Sequence, residues 1–192
     1  MSLSKKLLNS CSELKNIYSI AAIALLLALR VVLGFFANAT LPLFGNSVKL
    51  SGAFLPIAIT GAMFGPVPAA LVGALGDIIS FIIAPTGMYF PGFTLSGLLT
   101  GLIYGIAFYK NNITIPRVVI AWFVNTVVVE TFLSAYWLYA LYSGGTGKTY
   151  TAYLAARVIS EIFKCLPEII LIFAVGKLTS RIHIPTTLRK KT

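Results

Sequence analysis

The chain has 192 residues, 58% hydrophobic and 10% charged, with mean hydropathy +0.91 and net charge +10. A soluble domain of this size has no interior large enough for that apolar surface, and its apolar runs are continuous rather than alternating, which excludes a porin-type barrel. The basic excess sits mostly in tails and short turns, so it is an orientation signal and not a nucleic-acid surface. The expected class is an all-α membrane protein embedded in a lipid bilayer.

Residues 1–16 are polar and basic (Lys5, Lys6, Lys15) and read as a cytoplasmic tail able to carry an interfacial helix. Ile17 to Ala37 is apolar enough to span, interrupted by Arg30. Ala37-Asn38-Ala39 mimics a signal-peptide cleavage site, but the apolar stretch is too long for a signal core and carries a charge. An irregular loop, Asn38 to Val48, leads to helix two from Lys49 to Phe64. Gly65-Pro66 turns the chain into helix three, ending near Ala84.

The aromatic, Pro/Gly-bracketed loop Pro85 to Gly92 precedes helix four, Phe93 to Tyr109. After a polar turn from Lys110 through Arg117, helix five reaches Tyr142, and a glycine-rich loop, Ser143 to Tyr150, precedes helix six, Thr151 to Gly176. Residues 177–192 form a basic tail. Six spans return both termini to one side, with Lys5, Lys6, Lys15, Lys110, Arg117, Lys177, Arg181, Arg189, Lys190 and Lys191. The opposite loops hold Lys148, with Lys49 at a helix entrance, so the basic side is cytoplasmic.

Arg30, Asp77, Glu130, Arg157, Glu161, Lys164 and Glu168 all fall within these spans. Each costs about 2.5–3.5 kcal/mol on an insertion scale if it faces lipid, so each must meet another charge, water or a ligand. On helix six, Arg157, Glu161, Lys164 and Glu168 are spaced to line one stripe, as are Thr126, Glu130, Ser134 and Trp137 on helix five. One reading is structural ion pairs between helices. The aromatic and Gly/Pro-rich outer loops favour the other, a polar cavity in the outer half.

No catalytic or metal-binding set can be assembled. His183, the one histidine, lies in the basic tail, and Cys11 and Cys165 face different compartments. Gly147-Lys148-Thr149 resembles the end of a P-loop, but Tyr142 stands at its first glycine and no strand precedes it. No cofactor, nucleotide site or enzymatic activity is expected.

Small residues recur through Ala69, Gly73 and Gly76 and through Ser96, Gly97, Thr100, Gly101 and Gly105, which allows close helix approach. From Phe54 to Gly105, FLPIAITGAMFGPVPAALVGALGDIISFIIAPTGMYFPGFTLSGLLTGLIYG resembles the folate-type substrate-binding S-components of energy-coupling factor (ECF) vitamin transporters. The likeness runs from about Ala22 to Tyr109; in helices five and six only length, topology and polar placement agree.

The resemblance implies a bacterial plasma-membrane protein in which residues 17–176 form a six-transmembrane-helix substrate-binding domain between two cytoplasmic basic tails. It implies capture of a folate-like vitamin from outside, then docking on a transmembrane coupling subunit driven by two ATPase subunits. The family's A-x-x-x-A docking face matches Ala24 and Ala28, extended by Ala21.

For such a ligand, Tyr89, Phe90, Phe93 and Trp137 are candidates to stack on the pterin, and Glu130 or Asp77 to accept from its amino-pyrimidine edge. Arg30, Lys49 and Arg157, with Lys164 near mid-depth, are the cations available to carboxylates or ring carbonyls. Riboflavin, thiamine or its pyrimidine precursor is the alternative ligand; an intramembrane enzyme and a stand-alone channel are the alternative functions.

Overall fold

A high-moment amphipathic segment, Leu3–Glu13, forms α1, and the structure, a computed structural model, turns its Lys6, Ser10 and Glu13 inward. It describes residues 3–36, 39–41, 48–50, 52–85, 88–146 and 149–181. The basic segment 182–192 with His183, the loop residue Lys148 and the side chain of Lys49 lie outside the described residues.

The long apolar helices are α2 (Ile17–Phe36), α4 (Pro66–Ile83) and α5 (Pro91–Phe108), the last two started by proline in the first turn. Between α2 and α4 the chain makes an antiparallel hairpin, β1 (Ala39–Leu41) with β2 (Val48–Leu50), and then α3 (Phe54–Phe64). Helix two therefore starts five residues later than the expected Lys49. Thr40 pairs with Lys49 in the hairpin, and Val48-Lys49-Leu50 has the alternation of a strand.

The fifth predicted helix is a continuous rod in three parts: α6 (Ile115–Asn125), a π-helical segment (Thr126–Leu133) and α7 (Ser134–Thr146). The widened segment contains the β-branched run Val127-Val128-Val129 flanked by Thr126 and Thr131, which packs poorly in an α-helix. α7 also continues through Gly144 and Gly145, shortening the expected glycine-rich loop. The last helix, α8 (Tyr150–Arg181), has 32 residues and carries Pro167 inside.

Among the described residues, four helices are long and apolar enough to cross a membrane: Ile17–Phe35, Pro66–Ile83, Pro91–Phe108 and Ile115–Tyr142. α3 has 11 residues, about 16 Å of helix, or roughly half a hydrocarbon core. α8 is long enough at about 48 Å but carries charges within its apolar length.

α4 and α5 make the most extensive packing in the bundle. A Cβ added to Gly73 would strike the Gly97 carbonyl, and one on Gly101 the Ala69 carbonyl, so the two backbones touch directly. Gly65, at φ 95°, makes the left-handed turn between α3 and α4. Ser10 of α1 clasps that turn, donating to the Phe64 carbonyl at 3.0 Å and accepting from the Val67 amide at 3.0 Å.

The apolar core contains Phe64, Val72, Tyr104, Phe108, Val118, Trp122 and Ile172. Most of it lies toward the end of the bundle that carries α1. The other half, lined in part by Ala84, Met88, Tyr89 and Phe90, is left to polar and aromatic side chains around an open space.

Candidate functional site

Two joined chambers occupy that half, of about 430 and 250 Å³, and Asp77, Phe93 and Arg157 line both. The outer one is walled by aromatic and aliphatic side chains from α2, α4, the 84–90 segment and α7, including Phe35, Phe81, Tyr89, Phe90 and Tyr142. The inner one is polar: Arg30, Ser96, Thr100, Asn125, Glu130 and Lys164 face it. An apolar slot opening into a small set of convergent polar groups is the form of a small-molecule site.

The partition between them is held by hydrogen bonds. Thr94 donates its hydroxyl to Asp77 Oδ2 at 2.7 Å, leaving its lone pairs to accept from the Tyr89 hydroxyl at 2.9 Å. Asp77 on α4 is thereby tied to α5 and to the aromatic loop. Tyr89 also packs on Phe81, ring centroids 5.2 Å apart. Phe90 sits 6.3 Å from Phe93 and 5.5 Å from Trp137, fixing the loop over the cavity.

Arg30 is 8% exposed, and its guanidinium lies across α4 in the space that a Gly76 side chain would fill. It forms no salt bridge with Asp77, and its Nε has no hydrogen-bond partner among the described residues. An interhelical ion pair between these two charges is therefore not formed, and a cation lines the inner chamber with donor capacity to spare.

The π segment decides what α6 and α7 offer. Bonds from i to i+5 bring residues five apart onto one face, so Asn125 joins Glu130 and Ser134 on the chamber wall. The expected α-helical stripe of Thr126, Glu130, Ser134 and Trp137 is broken: Thr126 and Trp137 line neither chamber. Asn125 Oδ1 is buried without a hydrogen-bond partner among the described residues, an acceptor free for a ligand donor. Trp137 instead stands behind the wall, donating from Nε1 to Ser96 Oγ at 3.1 Å and covering Gly92 with its ring.

On α8, Arg157, Lys164 and Glu168 line the cavity, while Glu161 is buried and paired with Lys164 one turn on. That pair lies within α8 and ties no two helices together. Glu168 accepts from Trp122 Nε1 at 2.8 Å, a link between α6 and α8. The opposite face of α8 exposes Ile159, Ile162, Phe163, Leu166 and Ile170, a hydrocarbon surface. The helix is polar toward the cavity and apolar away from it.

Of the sequence candidates, Arg30, Asp77, Tyr89, Phe90, Phe93, Glu130, Arg157 and Lys164 thus converge on one cavity. Ser96, Thr100 and Asn125 were missed as site residues. The first two recur with Phe93 at helical spacing, but their small size read as packing; Asn125 needed the π register. Ala21, Ala24 and Ala28 lie on an exposed face of α2, away from the cavity.

A folate transporter, FolT, of Clostridium novyi (strain NT) is 31% identical over 177 residues, covering 92% of this chain and 98% of that protein. FolT of Leuconostoc mesenteroides subsp. mesenteroides is 28% identical over 142 residues, 73% of this chain and 74% of that one. In three dimensions the chain resembles a crystal structure of FolT bound with folic acid, with TM-score 0.73 and 30% sequence identity. That match covers 89% of this chain and 95% of the other. The family model described as ECF transporter, substrate-specific component, matches residues 18–178, and the chain belongs to this family of membrane transport subunits.

Proposed function

We propose that the chain captures folate in the two-chambered cavity and delivers it through an ECF module. The observation that carries this reading is the cavity itself, an aromatic chamber opening into a polar one through Asp77, Phe93 and Arg157. The 30% identical fold neighbour with folic acid bound supports it. Folate has a flat pterin with a hydrogen-bonding edge, a benzoyl ring and a glutamate tail. In this reading the pterin edge donates to Glu130 and Asn125 in the inner chamber, and Arg30 and Lys164 meet its carbonyl and ring nitrogens. Tyr89, Phe90 and Phe93 enclose the aromatic body, and Arg157 meets anionic or carbonyl groups of the tail.

The same reading takes all six helical rods as spans in a plasma membrane, with α3 lengthened by the hairpin and α8 tolerated because its charges face the cavity. Lys5, Lys6, Lys15, Lys110, Arg117 and Lys177 then mark the cytoplasmic side. Residues 1–16 and 177–192 flank the binding domain. ATP hydrolysis belongs to two partner subunits, and the exposed Ala21, Ala24 and Ala28 face suits close approach of the coupling subunit.

Calorimetric titration of the purified full chain with folate, riboflavin and thiamine tests the ligand. Saturable one-to-one folate binding is expected, with the other two weaker by at least about a hundredfold. Tighter binding of either one overturns the assignment. Orientation is tested in a C11S/C165S background, where a cysteine at Gly144 should react with an impermeant maleimide in intact cells. One at Asn112 should be protected; the reverse pattern refutes the topology.

A further inference from the structure

Away from the cavity, α5 and α6 splay at the end carrying α1 and leave an apolar groove of about 590 Å³. Ala107 and Ala121 floor it, and Ile106, Ile120 and Val124 on its walls are 36%, 64% and 40% exposed. Its mouth is cationic. Arg117 lines the groove and donates from Nη1 to the Asn112 carbonyl at 2.6 Å. Lys6 of α1 reaches over to the groove residue Ile106, donating from Nζ to its carbonyl at 2.9 Å. Neither cation is paired with a carboxylate among the described residues.

We propose that this groove binds an anionic phospholipid, its phosphate held between Lys6 and Arg117 and an acyl chain lying along Ile106, Ile120 and Val124. Two like charges brought together without an acid between them are costly, and a bound anion removes that cost. Lys6 bonds the carbonyl of a groove-wall residue and Arg117 lines the same groove, so both cations stand at one opening; burial, and then the Arg117 charge, hold the Lys6 ammonium below its usual range. The amphipathic α1, with Leu3 and Leu8 exposed, sets Lys6 at the height of lipid headgroups rather than in open water. The occupant is therefore a molecule with a hydrocarbon tail and a negative head. A zwitterionic lipid brings the same phosphate but also an ammonium that is repelled by the two cations, so it gains less at the mouth. The site is also clear of α2, which packs on α3 and α4 while α5 packs on α6, so lipid need not leave when α2 meets a partner.

Native mass spectrometry of the full chain, titrated with phosphatidylglycerol and with phosphatidylcholine of identical acyl chains, provides the test. Phosphatidylglycerol should bind at least about tenfold tighter, at roughly 1 kcal/mol per cation near the headgroup. Arg117→Gln should weaken it about fivefold and K6Q/R117Q about 25-fold, with phosphatidylcholine weakened less by each. Arg117→Gln removes one exposed hydrogen bond, so this arm does not depend on the double variant folding. Ile120→Asn should weaken both lipids alike. Equal binding of the two lipids by the native chain, or unchanged phosphatidylglycerol binding by both cation variants, overturns the proposal. So does full displacement of the lipid by millimolar inorganic phosphate, which would make the site one for a free anion.

Discussion

Small residues serve opposite ends in two parts of the molecule. Along α4 and α5, Ala69, Gly73, Gly97 and Gly101 bring backbone onto backbone inside the bundle. On α2, Ala21, Ala24 and Ala28 are exposed, beside Leu25 and Leu29 at 72% and 39% exposure. The spacing is similar in both. In membranes small residues favour close packing because lipid gives helices no hydrophobic reason to associate. The α4–α5 seam has found its partner within the chain, and α2 still presents its surface. A small-residue pattern thus specifies that something approaches closely, and the rest of the fold specifies whether that is part of the same chain.

The seam should break first. In Gly101→Leu the new side chain meets the Ala69 backbone, which has no rotamer to yield. The expected loss is at least about 3 kcal/mol, at the upper end of overpacking penalties, visible as lost monodisperse protein or a collapsed thermal transition. A near-normal unfolding temperature would mean that α4 and α5 can separate without consequence. Substitution of equal bulk on α2, A24L/A28L, should leave the transition and folate affinity within about 0.5 kcal/mol of native, as exposed sites do. Uptake by cells carrying the coupling and ATPase subunits should fall to background. Equal loss of binding and uptake would instead assign this face to the cavity.

Much of this was legible in the sequence because lipid makes the rules strict. Charges within apolar spans had to turn inward, and Arg30, Asp77, Glu130, Arg157 and Lys164 do line one cavity. Helix limits set by proline, such as Pro66 and Pro91, fell within two residues of expectation. What failed was anything dependent on register or local pairing. Lys49 and Leu50 of the strand Val48–Leu50 read as the start of a helix, because three residues carry little periodicity. The π segment moved Asn125 into the site and Trp137 out of it, and no proline or glycine announced it.

The inward side of α2 sharpens the contrast with its exposed side. Arg30 is buried over Gly76 of α4, without an ion pair to Asp77. A structural pair, once broken, would destabilise the bundle with or without ligand. A cation held for a ligand should behave differently. Arg30→Met is expected to weaken folate binding by about 2–5 kcal/mol while shifting ligand-free unfolding little. Asp77→Asn should weaken binding less, because the amide still accepts from Thr94. Severe unfolding of both variants, with normal affinity in whatever folds, would return the charges to a structural role.

The smallest expected effect separates contact with ligand from support of the wall. Trp137 covers Gly92, packs on Phe90 and donates to Ser96 without lining either chamber, so it braces the wall formed by Phe90 and α5. Trp137→Phe keeps an aromatic face over Gly92 and removes the indole donor. Ser96→Ala removes the acceptor of the same bond. Each should reduce stability by about 0.5–1.5 kcal/mol, the net worth of a hydrogen bond, and affinity by no more than about tenfold. Because one bond is lost in both, the double variant should be hardly worse than either single one, a coupling of about 1 kcal/mol in a double-mutant cycle. Additive losses in affinity would mean that Trp137 and Ser96 meet the ligand separately. The indole would then belong to the pocket lining, where its aromatic character alone had put it.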